Sequence, residues 1–208
     1  MNNLNDFLYH LTNVDDCGNI LRSGSIRPFV QNGVVRASDN ALPHVSQCVH
    51  FNFCPRSLML FELTQGHCWS AHKIWGQKDA VHIEIDYTQM MVHLGLNGVL
   101  NFIVSDSDSS HGSQKPNIKV FDVNSTSMAC IESMLDIPAI ERRISSFDAD
   151  KYQGKGAEIM VGADVDLRPD MVMTIGVHDE KAKGRLLGKS WISDAYKNKI
   201  FIRDDWYY

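Results

Sequence analysis

The sequence predicts an α+β fold, one domain built on a central split antiparallel β-sheet. Three observations carry this. Segments of strand period outnumber those of helical period, and they recur without the regular strand-helix-strand spacing of a parallel doubly wound sheet. The chain has 208 residues, 44% hydrophobic and 22% charged, which is the length and usage of one compact unit. No internal repeat, Pro-rich linker or long charge block divides it, so residues 1–208 are expected to form a single domain.

Phe7 to Thr12 reads as the first strand. Val14, Cys17, Ile20 and Leu21 follow at helical spacing, with Asn13 placed to cap the first turn and Gly24 to end the last. Val49, Phe51 and Phe53 alternate with His50 and Asn52, a half-buried strand that Cys54-Pro55 terminates. Arg56 to Leu63 continues as a compact apolar element. Val81, Ile83 and Ile85 alternate with His82, Glu84 and Asp86, so Ala80 to Tyr87 should be a strand with one buried face. Thr88 to Leu94 fits a helical turn and Val99 to Val104 another strand, before a Ser, Asp and Gly loop from Ser105 to Gly112. Met128, Ile131, Met134 and Leu135 share a helical stripe that Pro138 should break in two. Ala157 to Val161 and Met171 to Val177 are the last strong strands.

Composition narrows the function classes. No apolar run approaches the roughly 20 residues that cross a bilayer. Met1 to Asp6 is polar and acidic, unlike a secretory signal, so a cytoplasmic location is expected. The five cysteines, odd in number and irregularly spaced, suit reduced thiols rather than a disulfide framework. A net charge of −5 disfavours a protein that coats duplex nucleic acid, while leaving room for an enzyme with a local basic groove.

Cys48, His50, Cys54, His67, Cys68 and His72 crowd one stretch, and the spacing from Cys54 to His72 fits the second half of a two-Cys, two-His zinc finger. The first half fails, because an apolar strand lies between Cys48 and Cys54 where a finger needs a tight knuckle. No metal is therefore expected. Glu158 is the sharper anomaly: a lone carboxylate opening the small and apolar strand Ala157 to Val161, where Glu has low propensity. It either faces solvent on an edge or stands in a cleft, able to hold a ribose hydroxyl, act as a base or stabilise positive charge. His10 and Thr12 share one face of the first strand and suit a grip on an amide or a ribose. Arg36 and Arg56 flank the Val49 to Phe53 strand, and either guanidinium suits a pyrophosphate. No Gly-rich phosphate loop exists to do that instead.

Four islands in order resemble the DarT family of NAD-dependent ADP-ribosyltransferase toxins, which modify bases in single-stranded DNA. Tyr9-His10-Leu11-Thr12, with Ile20-Leu21-Arg22-Ser23-Gly24 behind it, is similar to the family's first NAD-contacting strand and helix. Val49-His50-Phe51-Asn52-Phe53 and Arg56-Ser57-Leu58-Met59-Leu60 resemble its "PFYF" strand and "SPML" turn. Val99 to Val104 leading into Ser105-Asp106-Ser107 takes the place of its "FTDG" loop, without the threonine and glycine. Lys155-Gly156-Ala157-Glu158-Ile159-Met160-Val161 resembles its "AEFLV" catalytic strand.

The resemblance implies an ADP-ribosyltransferase-like fold and NAD as co-substrate. It implies Glu158 and Arg36 as catalytic residues, with His10, Thr12, Arg36, Phe51, Phe53 and Arg56 around NAD. Lys151, Tyr152 and Lys155 would line the entry of a single-stranded nucleic acid, with DNA favoured over RNA. A neutralising antitoxin protein is the implied partner. Two alternatives stand beside this: an ADP-ribosyltransferase acting on a protein side chain, and a non-catalytic nucleic-acid-binding module on the same fold.

Overall fold

A computed structural model describes residues 6–28, 47–65, 76–107, 117–141 and 155–208. The chain begins with strand β1 (Phe7–Asn13) and helix α1 (Val14–Ser23). The Asn13 side chain accepts from the Asp15 and Asp16 amides, and Gly24 closes the helix at φ 69°, a left-handed conformation that glycine adopts without steric cost. β2 (Ser25–Ile26), β3 (Val49–Asn52), α2 (Leu58–Gln65), β4 (Ala80–Asp86) and α3 (Tyr87–Leu96) follow. Next come β5 (Asn101–Ser105), β6 (Ile118–Asp122), α4 (Met128–Glu132), α5 (Ile137–Glu141) and β7 (Glu158–Val161). β8 (Val165–Asp166), β9 (Val172–Val177), α6 (Glu180–Leu187), α7 (Asp194–Lys197) and β10 (Ile200–Ile202) complete the order.

Among the described residues eight strands form one sheet in the order β10-β9-β4-β1-β3-β7-β5-β6, and β2 pairs separately with β8. The large sheet is antiparallel except at one end, where β10 runs parallel to β9. β1 pairs with β4 along its whole length, from Phe7 opposite Asp86 to Asn13 opposite Ala80. It meets β3 only where Tyr9 faces Asn52. This single point of pairing splits the sheet at its centre, and the candidate residues gather there.

The main core packs Leu8, Phe51, Ile83, Phe102, Ile159 and Ile175 on one face of the sheet. On the other face Trp206 and Tyr207 close over the β1 and β4 half. Trp206 lies so close to Gly176 that a Cβ there would sit 2.3 Å from its ring. The Tyr207 hydroxyl donates to the carbonyls of Ala80 and Gly176 at 3.0 and 2.9 Å.

That packing corrects one expectation. β4 is buried on both faces, not one, because the rings of Trp206 and Tyr207 cover His82 while Glu84 accepts from the Tyr9 hydroxyl at 3.0 Å. A second correction concerns Pro138: the helical stretch does divide in two, but the proline sits in the first turn of α5, where its missing N–H costs no hydrogen bond. No helix among the described residues is long and apolar enough to cross a membrane.

Candidate active site

Side-chain alternation decides which groups can meet. Register pairs Asn52 with Glu158 and His50 with Met160, so His50, Asn52 and Glu158 share one face of β3 and β7. Ser105 on β5 faces Glu158 from the other flank. The apolar neighbours Met160, Cys48 and Ile103 complete that face. β7 is an interior strand, so the edge position open to Glu158 in sequence does not occur: its side chain is 3% exposed. A carboxylate buried so deeply needs a partner. His50 provides one, its Nδ1 lying 2.7 Å from Glu158 Oε2, and because a carboxylate accepts, Nδ1 donates. The imidazole is 26% exposed, so the pair is reached from outside through His50.

His10 approaches from across the split. It lies on the same face of the sheet as Phe51, whose ring centroid is 5.8 Å from its own. Its Nδ1 is 3.0 Å from the His50 carbonyl, which can only accept, so Nδ1 carries the hydrogen. Burial lowers its pKa to about 4. The ring is therefore neutral near pH 7, and Nε2 is the acceptor it presents to a hydroxyl. Thr12, two residues on, is buried on the same face of the strand.

Arg56 follows β3 on a bend whose backbone is pinned from below, the Tyr208 hydroxyl donating to its carbonyl at 2.6 Å. No hydrogen bond or ion pair engages its guanidinium among the described residues. Arg36, Lys151 and Tyr152 lie outside the described residues, as do His67, Cys68 and His72. Among the described residues no three His, Cys, Asp or Glu side chains converge as a metal would require.

Two expectations change. Phe51 and Phe53, expected around NAD, are core residues at 0% and 6% exposure, so Phe51 backs the His10 ring from behind. Lys155, expected at a nucleic-acid entry, is 2% exposed. Its Nζ donates to the Ile140 carbonyl at 2.6 Å and lies 3.8 Å from Cys54 Sγ, and burial lowers its pKa. It ties the start of β7 to the end of α5, with its ammonium engaged inside the protein.

Sequence reasoning placed His50 only in the Cys and His crowd and gave Asn52 and Ser105 no role. The signal for the first two lay in the alternation itself, since a strand that buries Val49 and Phe51 on one face must present His50 and Asn52 on the other.

The split sheet is matched by solved structures of DarT proteins. Thermus sp. 2.9 DarT in complex with NAD+ is similar over 98% of this chain and 98% of its own, at TM-score 0.71 and 21% identity. The same protein in complex with ADP-ribosylated ssDNA is similar over 98% of this chain and 96% of its own, at TM-score 0.72 and 21% identity. Thermosipho africanus DarTG in complex with ADP-ribose gives TM-score 0.65 at 16% identity, over 97% of this chain and 50% of its own. No curated protein sequence matches. The model of the DarT family, described as ssDNA thymidine ADP-ribosyltransferase, matches residues 9–208, and the chain belongs to that family.

Proposed function

We propose that Glu158 is the carboxylate with which this ADP-ribosyltransferase moves ADP-ribose from NAD to the thymine ring nitrogen in single-stranded DNA. The observation that carries the assignment is the His50 and Glu158 contact on an interior strand beside the split. The Thermus complexes with NAD+ and with ADP-ribosylated ssDNA support the donor and the acceptor.

Breaking the C1″ to N1 bond leaves the electron pair on nicotinamide and positive charge on the ribose. A fixed anion beside that ribose stabilises the cation as it develops and holds a ribose hydroxyl. Thymine in a nucleoside has one N–H, at N3. N3 becomes the nucleophile as its proton leaves, C1″ and N3 bond, and Glu158 takes the proton. His50 holds the carboxylate in one rotamer throughout. His10 Nε2 accepts from the adenosine ribose, with Thr12 beside it. Arg56, unengaged among the described residues and braced at its carbonyl, grips the pyrophosphate bidentately, and Arg36 is the second candidate for that grip and for the transition state. Lys151 and Tyr152 line the DNA entry, where single strands give up a base at lower cost than duplexes.

The protein acts in the cytoplasm, consistent with the free thiols of Cys17, Cys48, Cys54 and Cys130. An antitoxin protein neutralises it. The DarTG chain, half of which extends beyond the match, fits a second protein unit acting alongside this one. The test is to incubate the protein with labelled NAD and equal amounts of thymidine-containing single strands, thymidine-free single strands, duplex DNA, RNA and protein. Label on the thymidine-containing single strands alone is expected. Label chiefly on RNA or on protein contradicts the acceptor.

A further inference from the structure

Asn52 carries an amide with no hydrogen-bond partner among the described residues. The residue is 5% exposed and sits between Tyr9 at the split and Glu158 on the neighbouring strand. Tyr9, its register partner across the split, is already engaged, since its hydroxyl donates to Glu84 and its ring packs edge-on against Trp206. An amide that no described residue binds, on the face of the Glu158 carboxylate and beside the split, has its donor and acceptor open to a ligand.

We infer that Asn52 is a specificity-determining residue that reads the nicotinamide carboxamide of NAD, an inference that rests on the placement of NAD beside Glu158. An Asn amide offers one acceptor and a donor pair on a short, rigid stem. A carboxamide offers the same set reversed. Asn52 Nδ2 donates to the carboxamide oxygen while Oδ1 accepts from its nitrogen, and the two-point pairing fixes the rotation of the pyridinium ring. The acceptor thymine is the poorer occupant. An Oδ1 that accepted from N3–H would hold the proton the reaction must remove, and the position lies on the His10 side of Glu158, where the donor crosses the split. As the C1″ to N1 bond breaks, the same contacts hold the departing nicotinamide in line.

The probe is 3-acetylpyridine adenine dinucleotide, which keeps the carbonyl oxygen of the carboxamide and replaces its NH₂ with a methyl group. Wild-type protein should use NAD over this analogue by at least roughly tenfold in kcat/KM, the scale of one lost hydrogen bond. In Asn52→Ala the preference should collapse to about twofold, with KM for NAD raised about fivefold or more and KM for the oligonucleotide unchanged. Asn52→Leu keeps the size and removes donor and acceptor without adding a charge beside Glu158, so it should lose NAD affinity without loss of melting temperature, which separates reading from folding. Inhibition by free nicotinamide should weaken in both variants. An unchanged NAD preference in both overturns the inference, and so does a rise in oligonucleotide KM with NAD preference intact, which assigns the amide to the base. Glu158→Gln run in parallel keeps the two readings apart. Loss of transfer there with Asn52 variants unaffected removes only this inference, whereas full transfer there removes the site on which it rests.

Discussion

His50 and Glu158 stand diagonally across adjacent strands of a split sheet, Nδ1 and Oε2 2.7 Å apart, on the face opposite the main core. The imidazole donates to this carboxylate, and it also marks the route by which solvent reaches the pair. Replacing it should therefore act through Glu158. His50→Gln keeps a donor within reach and should retain at least about a tenth of wild-type transfer, while His50→Ala should lose roughly a hundredfold in kcat with KM for NAD moved little. Equal losses in the two variants would mean that His50 serves the fold and not the carboxylate.

Lys155 is expected to matter for stability and not for DNA. Lys155→Ala removes a buried charge-assisted hydrogen bond to the Ile140 carbonyl and leaves a void, a loss of about 2–4 kcal/mol in urea unfolding. The salt dependence of oligonucleotide binding should stay as in wild type. A slope reduced by about one would place the ammonium on a phosphate.

Gly176 is required by Trp206. A Cβ at this position meets the indole at 2.3 Å, and the ring is fixed between Tyr9 and the guanidinium of Arg203, whose Cζ is 4.1 Å from the ring centroid. Gly176→Ala should destabilise by about 1–3 kcal/mol and shift the tryptophan emission. A variant as stable as wild type with unchanged emission would show that the ring moves freely.

Acid should weaken the fold through its buried histidines. Burial lowers the pKa of His10 to about 4 and of His82 to about 3, from 6.5. Between those values and 6.5 the unfolded chain binds the additional protons, so this contribution is complete above pH 6.5 and is lost as pH falls toward 4 and then 3. His82, 1% exposed against Trp206 and Tyr207, should contribute a slope on the order of 1 kcal/mol per pH unit within that window. Denaturant midpoints measured from pH 7 to 4 should fall in wild type and fall less steeply in His82→Phe. Parallel curves for the two proteins would remove the assignment.

The sequence showed the parts with a strong period and missed what only pairing determines. β1, α1, β3, β5, β7 and β9 lie where alternation and caps put them, because Asn13, Gly24 and Cys54-Pro55 are local signals. The parallel β10 and helix α6 were not read, since Ile200 to Ile202 is too short for a period and gains its place only against β9. β4 looked half-exposed because nothing in Ala80 to Asp86 announces that Trp206 and Tyr207 cover it from more than a hundred residues away. In the site, Glu158 was legible as a misplaced carboxylate and His10 as a polar strand residue. Lys155 was misread because a lysine beside glycines looks like a surface cation, and only the tertiary structure supplies the carbonyl that buries it.

The most direct measurement is the rate of ADP-ribose transfer from NAD to a thymidine-containing single-stranded oligonucleotide by wild type and Glu158→Gln, alongside the NAD dissociation constant of each. The amide preserves size and some hydrogen bonding while removing the charge and the proton acceptor. Transfer should fall by roughly a thousandfold or more with NAD affinity within about threefold, because the lost interaction forms mainly as charge develops on the ribose. Full transfer by a folded Glu158→Gln protein would contradict the account.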